Sequence, residues 1–382
     1  MSGAVSLAAG EDEGLLREAA RSFLAATAPV ARLRAMRDDG RTTDPQLWAE
    51  MVAMGWAGVL VPPDAGGADM GHRAAGILAE EMGRTLAVSP FLSTAVIAAT
   101  ALRAAGRSAA LTAIAEGRTT YALALDEGRK FAPGATAMEA ARAGNGYRLS
   151  GAKTFVAEGA SATRLLVLAR TAGAPGEAAG LTLFDIERDR AGITTRPGRP
   201  IDSGDRATIR FTGVEATGGD IVGTLDDGLA ALEPALMAGQ AALAAEMTGA
   251  AAATCDLTVM FMKERKQFDR LIGTFQALQF RVAHLWSEIE MTTSAIIHAG
   301  RVLDAGPADA GLAVSLAKAR ATATARLAVS ESVQLHGGIG VTDALDLGFY
   351  MKRARVAAEW LGDYGYHAAA VARHRGLRGA VA

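Results

Sequence analysis

Between Asp12 and Thr27 the residues Leu15, Leu16, Ala19, Ala20, Phe23 and Leu24 recur at spacings of four, which places them on one face of a helix. Helical texture continues to about residue 118, broken at the proline- and glycine-rich VPPDAGGADMG (Val61 to Gly71) and at Pro90. From Thr119 to about Gly218 the pattern changes to short β-favouring runs, YALAL, RLLVLAR (Arg164 to Arg170), LTLFDI and ATIRFT, separated by Gly, Pro and Asp, which predicts an antiparallel β domain. After Gly223 the helical period returns, in segments near 234–264, 275–304, 308–334 and 344–375, lengths that suit a helical bundle. Pro234 is expected in the first turn of its helix, where its missing N–H costs nothing. The pattern thus predicts an α+β chain of three domains: an N-terminal α-helical domain (1–118), a middle antiparallel β domain (119–222) and a C-terminal four-helix bundle (223–382).

Composition narrows the class. The chain has 382 residues, 50% hydrophobic and 21% charged, a folded profile with room for a large core. Its net charge of -2 provides no field for nucleic acid or anionic membrane. The single cysteine, Cys255, excludes an internal disulfide and points to a reducing compartment. The N-terminal MSGAVSLAAGEDEG lacks the basic and apolar regions of a signal peptide, and uninterrupted apolar runs such as AVIAATAL (Ala95 to Leu102) are far shorter than the roughly 20 residues of a spanning helix, so a cytoplasmic protein is expected.

Most generic site patterns fail. The stretch Gly146 to Gly151 followed by Ala152, Lys153 and Thr154 comes near a phosphate loop, but it lies between β-like runs and reads as a hairpin turn. No GxGxxG opens a βαβ unit, and the six histidines show no metal-ligand spacing. Two clusters remain. FMKERKQFDRLIGTFQALQF (Phe261 to Phe280) sets Arg265, Gln267 and Gln276 around a glycine-containing turn, groups suited to a diphosphate and a heterocycle, or else, with Lys263 and Lys266, to complementing a helix C-terminal dipole. SVQLHGGIGVTD (Ser332 to Asp343) interrupts a helical pattern with Gly337, Gly338 and Gly340, through which backbone can approach a ligand or simply cap a helix.

Together, R-x-Q-F at Arg265 to Phe268, the Phe275–Gln276 pair and Q-x-H-G-G-x-G at Gln334 to Gly340 resemble the acyl-CoA dehydrogenase family. So do LWAEMVAMGWAGVLVPPDAGG (Leu47 to Gly67), EEMGRTLAVSPFLST (Glu80 to Thr94) and GYRLSGAKTFV (Gly146 to Val156), so that the resemblance spans nearly the whole chain. It implies FAD as cofactor, an acyl-CoA thioester as substrate, α,β-dehydrogenation, an oligomer, and electron-transfer flavoprotein or a similar acceptor as redox partner. It also implies that Arg265, Phe268, Gln276, Gln334, Gly337 and Gly338 contact the ADP half of an FAD whose flavin lies in a neighbouring subunit.

The departures are specific. By offset, the family's catalytic glutamate falls at Leu361 in EWLGDYG, and its alternative site, on the helix before the R-x-Q-F turn, at Gly239. Neither residue accepts a proton. The family's flavin-covering T-E-P-x-x-G-S-D segment is reduced to Leu125, Asp126, Glu127 and Gly128, and its W-I-T segment reads Phe155, Val156 and Ala157. Glu359 and Asp363 flank the empty position at i, i+4 and are the candidate relocated bases; the other reading makes them solvated partners of Arg355 and His367. The pattern resembles a base-lacking subunit that completes a paralogous partner's FAD site in a hetero-oligomer. The alternatives are a self-sufficient homo-oligomeric dehydrogenase with a relocated base, and a flavin-free binding protein on the same fold.

Overall fold

The computed structural model describes residues 10–306 and 310–377. Six α-helices come first among the described residues: α1 (Glu11–Thr27), α2 (Val30–Asp38), α3 (Pro45–Ala53), α4 (Gly71–Thr85), α5 (Ala99–Ala104) and α6 (Ser108–Ala115). Strands follow: β1 (Tyr121–Ala124), β2 (Glu139–Ala143), β3 (Gly146–Ala157), β4 (Arg164–Arg170), β5 (Leu181–Glu187), β6 (Ile193–Pro197), β7 (Arg206–Ala216) and β8 (Ile221–Val222). The long α7 (Gly228–Glu264) leads through a two-residue hairpin, β9 (Lys266–Gln267) and β10 (Arg270–Leu271), to α8 (Gln276–Ala305), α9 (Ala310–His336), α10 (Leu347–Glu359) and α11 (Tyr364–His374). The helix, strand, helix order matches the predicted class. Among the described residues two compact units form, one from 10–35, 72–87, 240–306 and 310–377, the other from 36–71 and 88–239.

In the second unit the sheet runs β6-β7-β3-β2-β4-β5-β8, with β1 added on β4. It is mixed rather than purely antiparallel: β1 pairs with β4 in parallel from Tyr121↔Arg164 to Ala124↔Val167, and β2 touches β4 in parallel at Glu139↔Arg170. The reason is connectivity, since β1 reaches β4 only after the chain has looped out to make the β2–β3 hairpin. That hairpin turns at Gly144–Asn145, and the Gly146–Thr154 stretch read as a turn is strand β3. Leu149, Val167, Phe184, Ile186, Ile209 and Phe211 fill the sheet's apolar face. The register slips between Lys153 and Val156, a bulge that turns Phe155 outward with φ 53° and 63% exposure.

In the first unit Arg17 and Arg21 of α1 hold the buried carboxylate of Glu81 on α4 at 2.8 and 3.0 Å, which shifts the packed side of α1 to Ala20 and Leu24 and leaves Leu15 exposed. Gly83 of α4 and Gly249 of α7 let these helices touch backbone to backbone: a Cβ on Gly83 would collide with the Glu246 carbonyl, and one on Gly249 with the Glu80 carbonyl. Two predicted features of the long helices are corrected. α7 begins at Gly228, so Pro234 lies inside it; the carbonyl four residues back, left without its helical donor, belongs to exposed Ala230. The 344–375 segment is two helices, split where Leu361 and Gly362 take left-handed backbone at φ 58° and 104°. α7 is long and apolar enough to cross a membrane by length and composition, but 67% of its most apolar stretch is buried, as in a core helix.

Candidate functional site

The predicted site residues fall in three places. The first is an exposed face at the end of α7. Phe268 and Asp269 both have positive φ, 53° and 62°, the backbone of a type I′ hairpin turn between β9 and β10. This leaves Phe268 87% exposed, edge-on to Phe275 at 6.2 Å, while the Arg270 guanidinium sits over the Phe275 ring at 4.0 Å. Beneath the turn, Met262, Ile272 and Leu335 form an apolar cluster with Phe261, Phe275, Leu278 and Val282. Phe261 stacks on His336 at 4.2 Å, and His336 Nδ1 lies 2.8 Å from the Ser332 carbonyl. The structure therefore joins the Arg265 turn to the end of α9, two segments far apart in sequence. Arg265, Gln276 and Gln334 are exposed, and their side chains make no ion pair or hydrogen bond among the described residues. Gly337, at φ 66°, caps α9 in left-handed conformation, and open space surrounds both it and Gly338.

The second place is the turn between α10 and α11. Leu361 is buried at 2% exposure despite its left-handed backbone, a conformation that costs a bulky residue on the order of 1–3 kcal/mol and persists only where its surroundings impose it. Three side chains from three helices do so. Gln240 Nε2 of α7 donates to the Leu361 carbonyl at 3.1 Å, His367 Nε2 of α11 meets the same oxygen at 3.1 Å, and Lys318 Nζ of α9 donates to the carbonyls of Ala357 and Gly362, each at 3.1 Å. Lys318 is fully buried without an ion pair among the described residues, and burial lowers it to about 7, with Asp363 and Glu359 pulling the other way. Burial, then the Lys318 charge, lowers His367 to about 4, so its ring is neutral at physiological pH.

Glu359 and Asp363 do not share one helical face. Glu359 ends α10, paired with Arg355 at 3.0 Å, and Asp363 caps α11 by accepting from the Tyr366 N–H at 2.8 Å. Both line a cavity of about 510 Å³ with Thr322, Arg326, Met351 and Tyr364. The clamp residues Gln240, Lys318 and His367 were missed from sequence; the one available signal was a lysine in the apolar, Ala-rich AVSLAKARATATARLAV run.

The third place is in the β unit. Lys153, the apparent phosphate-loop lysine, is fully buried and bound to Glu127 at 2.7 Å and to the Leu125 carbonyl at 3.0 Å. Glu127 also accepts from the Ala137 and Met138 N–H groups. Its neighbour Asp126 anchors β3 through its backbone, accepting from Thr154 N at 2.7 Å, while its carboxylate makes no hydrogen bond among the described residues. Burial raises Asp126 to about 6, only partly offset by Lys153.

The helical unit thus carries an uncommitted guanidinium and amides at the end of α7 and, between α10 and α11, a turn held by three side chains. Comparison with known proteins carries this further. Residues 10–114 match the acyl-CoA dehydrogenase N-terminal domain and residues 226–375 the acyl-CoA dehydrogenase C-terminal domain. The chain is 31% identical over 353 residues to acyl-CoA dehydrogenase IpdE2 of Mycolicibacterium smegmatis, covering 92% of this chain and 95% of that protein. The fold matches the ChsE4-ChsE5 complex of Mycobacterium tuberculosis with a TM-score of 0.87 at 22% identity, covering 98% of this chain and 100% of that one. It matches an FAD complex of PigA with a TM-score of 0.89 at 20% identity, with the same coverage. The chain belongs to the acyl-CoA dehydrogenase family.

Proposed function

We propose that this chain is the base-lacking subunit of a heteromeric acyl-CoA dehydrogenase and that its exposed face completes the FAD site of a paralogous subunit. The observation that carries the reading is Leu361: an inert side chain, buried in a rigid turn, at the position where the family resemblance expects the catalytic glutamate. Removal of an α-proton requires a carboxylate within hydrogen-bond reach, and the Leu361 side chain supplies none. The exposed face has the donor chemistry of a cofactor contact. Arg265 brings an unpaired charge for a diphosphate, Gln276 and Gln334 bring amides, and the open backbone at Gly337 and Gly338 admits close approach. Phe268 adds a solvent-facing ring for stacking. These residues would hold the ADP half of an FAD, whose flavin would supply the hydride acceptor for the acyl-CoA. The chain's own flavin-facing segments offer less, since Ala157 has no hydroxyl and Asp126 presents a carboxylate that no cation fully offsets. The ChsE4-ChsE5 complex, by its name a pairing of ChsE4 with ChsE5 and in its matched chain sharing this fold, supports the heteromeric reading. The electron acceptor in this reading is an electron-transfer flavoprotein or equivalent, and the compartment is the cytoplasm.

One observation favours the second reading, a self-sufficient enzyme with a relocated base: Glu359 and Asp363 line the same cavity. The test is to purify the chain alone and co-expressed with an adjacent dehydrogenase-like gene product, and to measure visible flavin absorbance and acyl-CoA turnover. The proposal expects a colourless, inactive chain alone and a yellow, active complex. Turnover by the pure chain, abolished in Glu359→Gln or Asp363→Asn, would establish the second reading instead.

A further inference from the structure

The turn at Trp360–Asp363 is held more firmly than its side chains explain. Leu361 contributes only apolar burial, yet two carbonyls of this turn, Leu361 and Gly362, and the Ala357 carbonyl at the end of α10 are met by polar side chains from other parts of the helical unit. The arrangement around Lys318 Nζ is specific. Its three oxygen neighbours are the Ala357 carbonyl at 3.1 Å, the Gly362 carbonyl at 3.1 Å and, more distantly, Thr322 Oγ1 at 3.5 Å. The Thr322 hydroxyl hydrogen is already spent on the Lys318 carbonyl at 2.9 Å, so Oγ1 presents only lone pairs to the amine. Three acceptors suit the three N–H bonds of an ammonium. The site is nonetheless fully buried and without a paired carboxylate among the described residues, which opposes the charge.

We propose that Lys318 is a positioning residue: with Gln240 and His367 it clamps the Trp360–Asp363 turn through backbone carbonyls, and the clamp loosens as pH falls toward neutrality. The sign follows from the lysine's two environments. Clamped and buried, Lys318 gives up its proton at about 7; in an opened turn it reaches water and regains the ordinary lysine range. Protons therefore favour the open form, and the closed form gains as pH rises above about 7 toward the ordinary lysine value, with no further change below. The charged groups facing Nζ act in the same frame: Asp363 in the turn and Glu359 on α10 favour the ammonium. His367 on α11 stays neutral throughout this range, and Gln240 on α7 carries no charge. The inference concerns the turn alone and holds whichever subunit supplies the base.

The experiment is hydrogen exchange of the full chain, read on peptides spanning 357–367 and corrected for the intrinsic rate. Protection is expected to be about tenfold greater at pH about 8.5 than at pH about 7. Lys318→Met, which does not titrate, is expected to abolish that ratio; should it fail to fold, Lys318→Arg serves the same purpose, since its guanidinium keeps its charge across the range. Gln240→Leu is expected to lower protection at both pH values while keeping the ratio. A native chain with no pH-dependent difference, or a non-titrating variant that retains it, overturns the proposal.

Discussion

Gln240 reaches across 3.1 Å from α7 to the carbonyl of Leu361, so that the residue after one empty base position holds the backbone of the other. The amide satisfies a buried carbonyl that otherwise has only His367. Gln240→Leu is expected to destabilise the chain by about 1–2 kcal/mol in urea unfolding, the range for an under-satisfied buried polar group. No change would mean that His367 alone suffices.

Arg265→Ala is expected to lower FAD occupancy of the complex, because it removes a charge-assisted contact to the diphosphate. Gln334→Ala should act in the same direction but more weakly, by about 1 kcal/mol, as befits a neutral amide. Flavin retained after dialysis, compared by absorbance among native and variant complexes, reads both. Equal retention would reduce Arg265 to a helix-end charge.

At the two carboxylates beside the turn, stability and chemistry separate. Asp363→Ala is expected to cost about 1 kcal/mol through loss of the α11 cap, whereas Asp363→Asn, itself a good cap, costs little. Glu359→Gln is expected to be nearly neutral, since its partner Arg355 lies on an exposed surface. In the base-lacking reading, neither Glu359→Gln nor Asp363→Asn alters turnover of the complex, which steady-state assays of both variants check directly.

Asp126 makes the stability of the β unit depend on pH. Its folded value is raised from 3.8 to about 6, so the native state holds a proton that the unfolded chain releases. Native stability therefore falls as pH rises between those values, and the full cost is present above about 6. Asp126→Asn is expected to raise stability at pH 7 by about 3 kcal/mol and to have little effect at pH below about 4. Denaturant titrations of both proteins across this range would show the difference opening with pH; a constant offset would refute the assignment.

The order of elements was legible because helical and alternating patterns differ over long stretches, and the Arg265 and Gln334 segments stood out as clustered charge and glycine breaking apolar runs. Their junction was not legible, since it depends on Met262, Ile272 and Leu335 meeting in space. The split at Leu361 was hidden for a related reason: leucine seldom adopts left-handed backbone, and here residues far along the chain impose it. At the Phe268–Asp269 turn the positive φ falls in part on Phe268, a residue type that carries no local signal for it. Pro234 misled because the true start of α7 lies at Gly228, where a Cβ would strike the Leu183 backbone, a constraint set by the sheet and invisible in the helix's own pattern.

The crossing of α4 and α7 at Gly83 and Gly249 works as an axial index. With no room for a Cβ at either backbone contact, sliding α7 by one residue would drive Thr248 or Ala250 into the Glu80 carbonyl, so the helix has a single permitted register. Gln240 lies nine residues up the same helix, roughly 13 Å along its axis at 1.5 Å per residue. Two backbone contacts, each made possible by a glycine, thus set the height at which a distant amide meets the Leu361 carbonyl, and the precision of the turn is borrowed from a helix crossing well away from it.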